Sequence, residues 1–168
     1  DLTIAGEQSS YLLMTQLLLG RFLFGLDDDP WKNDKEPAFL CAVPGFDRHF
    51  ATLEGLGLKM HTVNLCSSGI DLDDLNKKLS KYPNIKGLIC VPRHSNPSGE
   101  VFSDENITNL LKITKEYNSS FINLFDHAYL IHDFDETRVQ TPIPHLADGL
   151  DALDLSLIHI SEPTRPSI

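Results

Sequence analysis

Apolar residues along this chain fall into two alternating patterns, short continuous runs and longer stretches spaced three and four apart. The first pattern occurs at Ala38 to Val43, Lys86 to Val91 and Phe121 to Phe125. A nearly unbroken apolar run of this length, closed by a proline or an aspartate, predicts a strand buried on both faces. Lys59 to Asn64 alternates more weakly and predicts a further strand. The second pattern predicts helices over residues 9–24, over Phe46 to Leu56 with Gly57 as a stop, after Asp71, and after Ser103. Asp71 and Ser103 are residue types that cap a helix start, and Asp104 with Glu105 favours the helix dipole in the first turn. Asp27 to Glu36, with Pro30 and a high share of acids, reads as a surface loop, and residues 140–154, with Pro142 and Pro144, as another.

Strands alternating with helices of this length imply parallel pairing through right-handed crossovers. The expected fold is α/β, a three-layer α/β/α arrangement with a mostly parallel sheet. Ligands of such sheets sit beyond the carboxyl ends of the strands. Phe46, Asn96 and Asp126 each fall just past or at a proposed strand end, so residues far apart in sequence converge on one rim.

The 168 residues suit one domain or a piece of a larger one, and 41% hydrophobic with 23% charged residues is a globular composition. A formal charge of −10 argues against nucleic acid and anionic lipid as partners. The apolar run from Tyr11 to Leu26 is interrupted by Thr15, Gln16 and Arg21 well short of a membrane span, and no signal peptide is evident. Cys41, Cys66 and Cys90 are odd in number and lack CxxC spacing, which fits buried reduced thiols in a cytoplasmic setting better than disulfides or zinc.

Asp126 ends an apolar strand, where a carboxylate is costly unless it meets a cation or strong donors. Tyr129 lies one turn later and can aim its phenol at the same ligand. Asn96 precedes Pro97, and Gly99 lets the chain turn back, so the amide is held at a strand end. Phe46 can stack on a flat ring. Gln8 and Ser9, after Gly6 and before a helix, can hold a phosphate with backbone N–H groups and the helix dipole. Taken one at a time, each has an ordinary alternative: a capping aspartate, a core tyrosine, an Asn-Pro turn, a core phenylalanine, a plain helix cap.

Together the runs VPRHSNPSG (Val91 to Gly99), FDHAY (Phe125 to Tyr129) and CAVPGFDRHF (Cys41 to Phe50) resemble the fold-type I, class I aminotransferases, which use pyridoxal phosphate (PLP). The last run, with LFGLDDDPW (Leu23 to Trp31), is most similar to an atypical subgroup of aspartate aminotransferases. The resemblance covers residues 4–139 in matching order. It implies that Asn96 and Tyr129 bond the cofactor's 3-oxygen and Asp126 pairs with the pyridine nitrogen. Phe46 takes the stacking place, and Gln8 with Ser9 lies at the phosphate cup. It also implies a homodimer acting on an amino acid, aspartate, and a 2-oxo acid, 2-oxoglutarate. Ser98 stands where the family usually has threonine, and Glu7 brings a carboxylate beside the phosphate position.

The family's Schiff-base lysine follows the tyrosine of the FDHAY run, yet this chain has no lysine after Lys115. The phosphate-binding and substrate-carboxylate arginines have no counterparts either, since Arg138 comes too soon and Arg165 lies in the tail. Residues 1–154 therefore read as a partial PLP-binding large domain, cut at both ends. The run LSLIHISEPTR (Leu155 to Arg165) resembles a translated transposase adapter left by library preparation, with an amphipathic terminal strand as the alternative, and residues 155–168 are expected to be non-native. Three other functions are weighed against the transaminase. One is a PLP lyase or decarboxylase on the same fold. The second is a metal-dependent hydrolase built from Asp126, His127, His132 and Asp133, although no further histidine pair sits at ligand spacing. The third is a non-catalytic binding or dimer-forming piece.

Overall fold

The computed structural model describes residues 10–25, 29–129 and 157–160. Six strands form one sheet: β1 (Ala38–Val43), β2 (Lys59–Cys66), β3 (Gly69–Ile70), β4 (Ile85–Cys90), β5 (Ile122–Asp126) and β6 (Leu157–Ile160), in the order β3-β2-β1-β4-β5-β6. Every pairing is parallel except β2 with β3. Four helices accompany them: α1 (Ser10–Phe24), α2 (Asp47–Gly55), α3 (Leu72–Lys81) and α4 (Asp104–Tyr117).

Two apolar clusters show why the strands are apolar throughout. Ala38, Leu40 and Ala42 of β1 pack with Leu75 and Leu79 of α3 and with Ile107, Leu110 and Leu111 of α4. Phe39 and Cys41, the alternate residues, pack with Met14 and Leu18 of α1 and Leu53 of α2. The sheet is thus covered on both faces, the expected three layers. Burying each large side chain contributes roughly 1.5–3 kcal/mol before conformational entropy is set against it.

The chain leaves β1 toward β2 through α2 on one face, then returns past β1 to β4 through α3 on the other, and continues to β5 through α4. Its direction of travel therefore reverses at the boundary between β1 and β4. In a doubly wound sheet that reversal opens a crevice at the carboxyl ends of the strands.

Local chemistry sets the element boundaries. The Asp71 carboxylate accepts from the N–H groups of Asp73 and Asp74, each at 3.0 Å, and Ser103 Oγ accepts from Asn106 N–H at 3.1 Å. Gly57, at φ 73°, ends the α2 segment as expected.

Three features depart from the expectations drawn from pattern. The segment before β1 is more than a surface loop: Trp31 begins a short 3-10 turn and is buried against Phe39, their ring centroids 6.0 Å apart. β2 extends to Cys66 and turns into the antiparallel β3, held where Asn106 Oδ1 accepts from Ile70 N–H and its Nδ2 donates to Ile70 O. Cys66 is exposed, whereas Cys41 and Cys90 are buried, and all three are free thiols. Residues 130–156 lie outside the described residues, including the loop expected at 140–154, and so do Arg138, His132 and Asp133.

Candidate active site

The crevice collects the ends of β1, β4 and β5. After β1, Phe46 occupies the N-cap position of α2 in extended conformation, so the helix begins at the rim. Its ring is half-buried and meets His49 edge-on, with centroids 5.3 Å apart and planes at 88°. One turn into α2, His49 is buried, and its Nε2 lies 2.9 Å from Asp126 Oδ2. The other carboxylate oxygen of Asp126 accepts from Ala128 N–H at 3.0 Å.

Asp126 is only 5% exposed, so these two contacts answer the cost of a carboxylate at an apolar strand end. Each carboxylate oxygen can accept more than one hydrogen bond, and a cationic N–H is the partner such a group binds most strongly. The negative charge is felt nearby: burial first, and the Asp126 carboxylate second, push the Cys90 thiol well above its ordinary value.

After β4 the chain makes a tight loop. Phe102 N–H donates to Pro92 O at 2.9 Å, Ser95 N–H donates to Glu100 O at 2.9 Å, and Gly99 N–H donates back to Ser95 O. Gly99 sits at φ 85°, where glycine is at home, and the Asn96–Pro97 peptide is cis. The half-buried Asn96 amide is thereby carried to the rim, and its Nδ2 donates to Tyr129 Oη at 3.1 Å. An amide donating to a phenol oxygen makes that phenol a stronger donor in turn.

Four of the six candidate residues are therefore joined in two contact chains, Phe46–His49–Asp126 and Asn96–Tyr129, both rooted at the end of β5. Gln8 and Ser9 lie outside the described residues. His49 is the functional candidate that sequence reasoning missed; its signal is the spacing of three from Phe46 at a helix start, which aims both side chains at one rim. His127, assigned no role, is buried and meets the Phe125 ring at 6.4 Å. No group of three or more metal-ligating side chains occurs among the described residues.

The donor set fits PLP: a buried carboxylate for a ring N–H, an amide with a phenol for a ring oxygen, and a half-buried aromatic at the same rim. Residues 1–148 match the family model described as aspartate amino-transferase. A protein of Mycolicibacterium smegmatis provisionally named an aminotransferase is 33% identical over 167 residues, covering 98% of this chain and 37% of the relative. The aspartate aminotransferase of Corynebacterium glutamicum is 33% identical over 131 residues, covering 77% of this chain and 30% of the relative. The crystal structure of an aspartate transaminase from Corynebacterium glutamicum superposes with a TM-score of 0.77 at 27% identity, over 94% of this chain and 37% of that one. The chain spans between 30% and 37% of the length of these relatives. PLP is the cofactor expected of the family. By its family match, its fold and its relatives, the chain belongs to the aspartate amino-transferase family of PLP-dependent aminotransferases, of which it is a part.

Proposed function

We propose that the intact parent moves an amino group between an amino acid, aspartate, and a 2-oxo acid, 2-oxoglutarate. The observation that carries this reading is the buried Asp126 carboxylate, held by His49 and Ala128 N–H beside the Asn96–Tyr129 pair. PLP, when bound, supplies an electron sink for negative charge developing at the substrate α-carbon. Asp126 keeps a proton on the ring nitrogen, and His49 fixes the carboxylate in place. Asn96 and Tyr129 would donate to the ring oxygen, and Phe46 would shield the ring from water. Gln8 and Ser9 hold the phosphate.

The parent is a homodimer of the cytoplasm in this reading, and residues 1–154 are part of its large domain. In this reading the 155–168 segment is foreign to it, since the run LSLIHISEPTR resembles a translated transposase adapter. The Mycolicibacterium smegmatis alignment spans 98% of the chain and so runs into that segment. Recovering the uninterrupted gene decides both points, because a downstream frame without a lysine soon after Tyr129 would refute the transaminase, and one that continues through LSLIHISEPTR would refute the foreign tail. The 168-residue chain, with no lysine after Lys115, is inactive; robust transamination by it would overturn that.

A lyase on the same fold is the second reading, since Phe46, Asn96, Asp126 and Tyr129 address the cofactor and leave the reaction open. Analysis of the products of the intact enzyme separates the two.

A further inference from the structure

β2 is an edge strand over most of its length. β1 pairs with it from Lys59 to Asn64, whereas β3 covers its other side only at Leu65 and Cys66. Alternate residues of a strand turn their N–H and C=O groups to opposite edges. Lys59 N–H donates to Pro37 O at 2.9 Å, on the β1 side. Asn64 faces outward: its N–H donates to Asp74 Oδ2 at 3.0 Å, and its carbonyl accepts from Asp71 N–H at 2.9 Å. Met60 and Thr62 share that outward parity, and no hydrogen bond among the described residues reaches their outward groups. An unmade row of this kind is the template on which an extended segment adds.

The flank of α3 that holds Asn64 through Asp74 continues along the same edge with lysines. Lys78 lies 4.0 Å from Asp74, and Lys81 Nζ stands 5.0 Å from the centre of the Tyr82 ring. Tyr82 stacks on His61 of β2, with planes at 10°, and the charges of Lys59, Lys78 and Lys81 all reach His61. Glu36, 3.0 Å from Lys59, and Asp74 oppose them, but Asp74 is already engaged by Asn64 N–H. In a chain of formal charge −10, three lysines from two elements thus converge beside two open main-chain positions. They repel a second copy of the same edge and attract an acidic strand.

We propose that the outer edge of β2 at Met60 and Thr62 docks an extended acidic segment of another protein, which adds as a strand and sets its carboxylates against Lys59, Lys78 and Lys81. The site is at the amino end of β2, away from the rim that carries Asp126, and needs no cofactor.

Hydrogen exchange and titration of the 168-residue chain with an acetylated, amidated ETETETE peptide test this. In the free chain the Met60 and Thr62 amides exchange faster than those of Lys59 and His61. With the peptide at about ten times its Kd, the Met60 and Thr62 amides slow roughly tenfold and the other two do not change. Lys78→Gln with Lys81→Gln weakens binding by about fivefold or more, and a KTKTKTK peptide does not bind. The ETETETE peptide N-methylated on all its amides keeps its charge and cannot donate to the ladder. Equal affinity for that peptide would reduce the contact to charge alone and overturn the added strand. Absence of ETETETE binding, equal binding of KTKTKTK, or binding without slowing at Met60 and Thr62 would overturn it as well.

Discussion

His49 and Asp126, 77 positions apart, meet at 2.9 Å between Nε2 and Oδ2, joining the first turn of α2 to the end of β5. Both side chains are more than nine-tenths buried, so the contact is shielded from water and cannot be exchanged cheaply for solvent. His49→Ala leaves Asp126 with only Ala128 N–H among the contacts described above. The expected loss is about 1–3 kcal/mol of stability, read as a lower urea midpoint with unchanged slope. An unchanged midpoint would mean that the pair contributes nothing to holding α2 on the sheet.

How much of this was legible in the sequence depends on which physics writes the signal. Strands buried on both faces must be apolar at every position, so β1, β4 and β5 are visible as runs, within a residue or so of their ends. Asp71 and Ser103 announce α3 and α4 because a capping side chain acts within three residues of itself. β3 leaves no such trace: two residues carry no period, and its pairing depends on Asn106 from a helix 36 positions away. His49 was hidden for the same reason, since its partner is set by the sheet order and not by its neighbours. Asn96, Asp126 and Tyr129 were readable because each sits at a strand end, where pattern and motif coincide.

Gly87 marks a place where the sheet has no room. A Cβ there would lie 2.4 Å from Ile122 O and 2.5 Å from Phe39 Cζ, one a backbone atom of the neighbouring strand and the other a core ring. Gly87→Ala is expected to destabilise by about 1–3 kcal/mol or more through overpacking. Gly20 supplies the contrast: it lies inside α1 with nothing within 4 Å of its would-be Cβ. Gly20→Ala should therefore raise stability by about 0.5–1 kcal/mol, on helix propensity alone. Paired urea melts check both, and equal effects would contradict the packing account.

His61 gives the fold a weak acid sensitivity. Its ring stacks on Tyr82 with centroids 3.6 Å apart, and partial burial first, then Lys59, Lys78 and Lys81, lower its pKa below the ordinary 6.5. Glu36 opposes them, and Asp74 lies 4.0 Å from Lys78. With the folded value depressed, the unfolded chain binds more protons as pH falls through 6.5, so stability declines on acidification and is unaffected above neutrality. His61→Gln should flatten the fall in urea midpoint between pH 7.5 and pH 5.5 (assay conditions of about this range bracket an ordinary histidine). A slope that survives the substitution would assign the effect to other groups.

The three thiols separate by environment. Burial pushes Cys41 up to about 12, and burial with the Asp126 charge pushes Cys90 well above its ordinary value. Neither forms appreciable thiolate near neutrality, and neither faces solvent. Cys66 is exposed at the end of β2, its Sγ 3.4 Å from Ser68 Oγ. A disulfide reagent at pH 8 (roughly the ordinary range of a free thiol) should therefore modify Cys66 rapidly and the other two only after urea is added. Cys66→Ser should abolish the fast phase and leave the slow one. Rapid modification of Cys90 in the folded chain would instead show that the end of β4, beside Asp126, opens to solvent on the timescale of the assay.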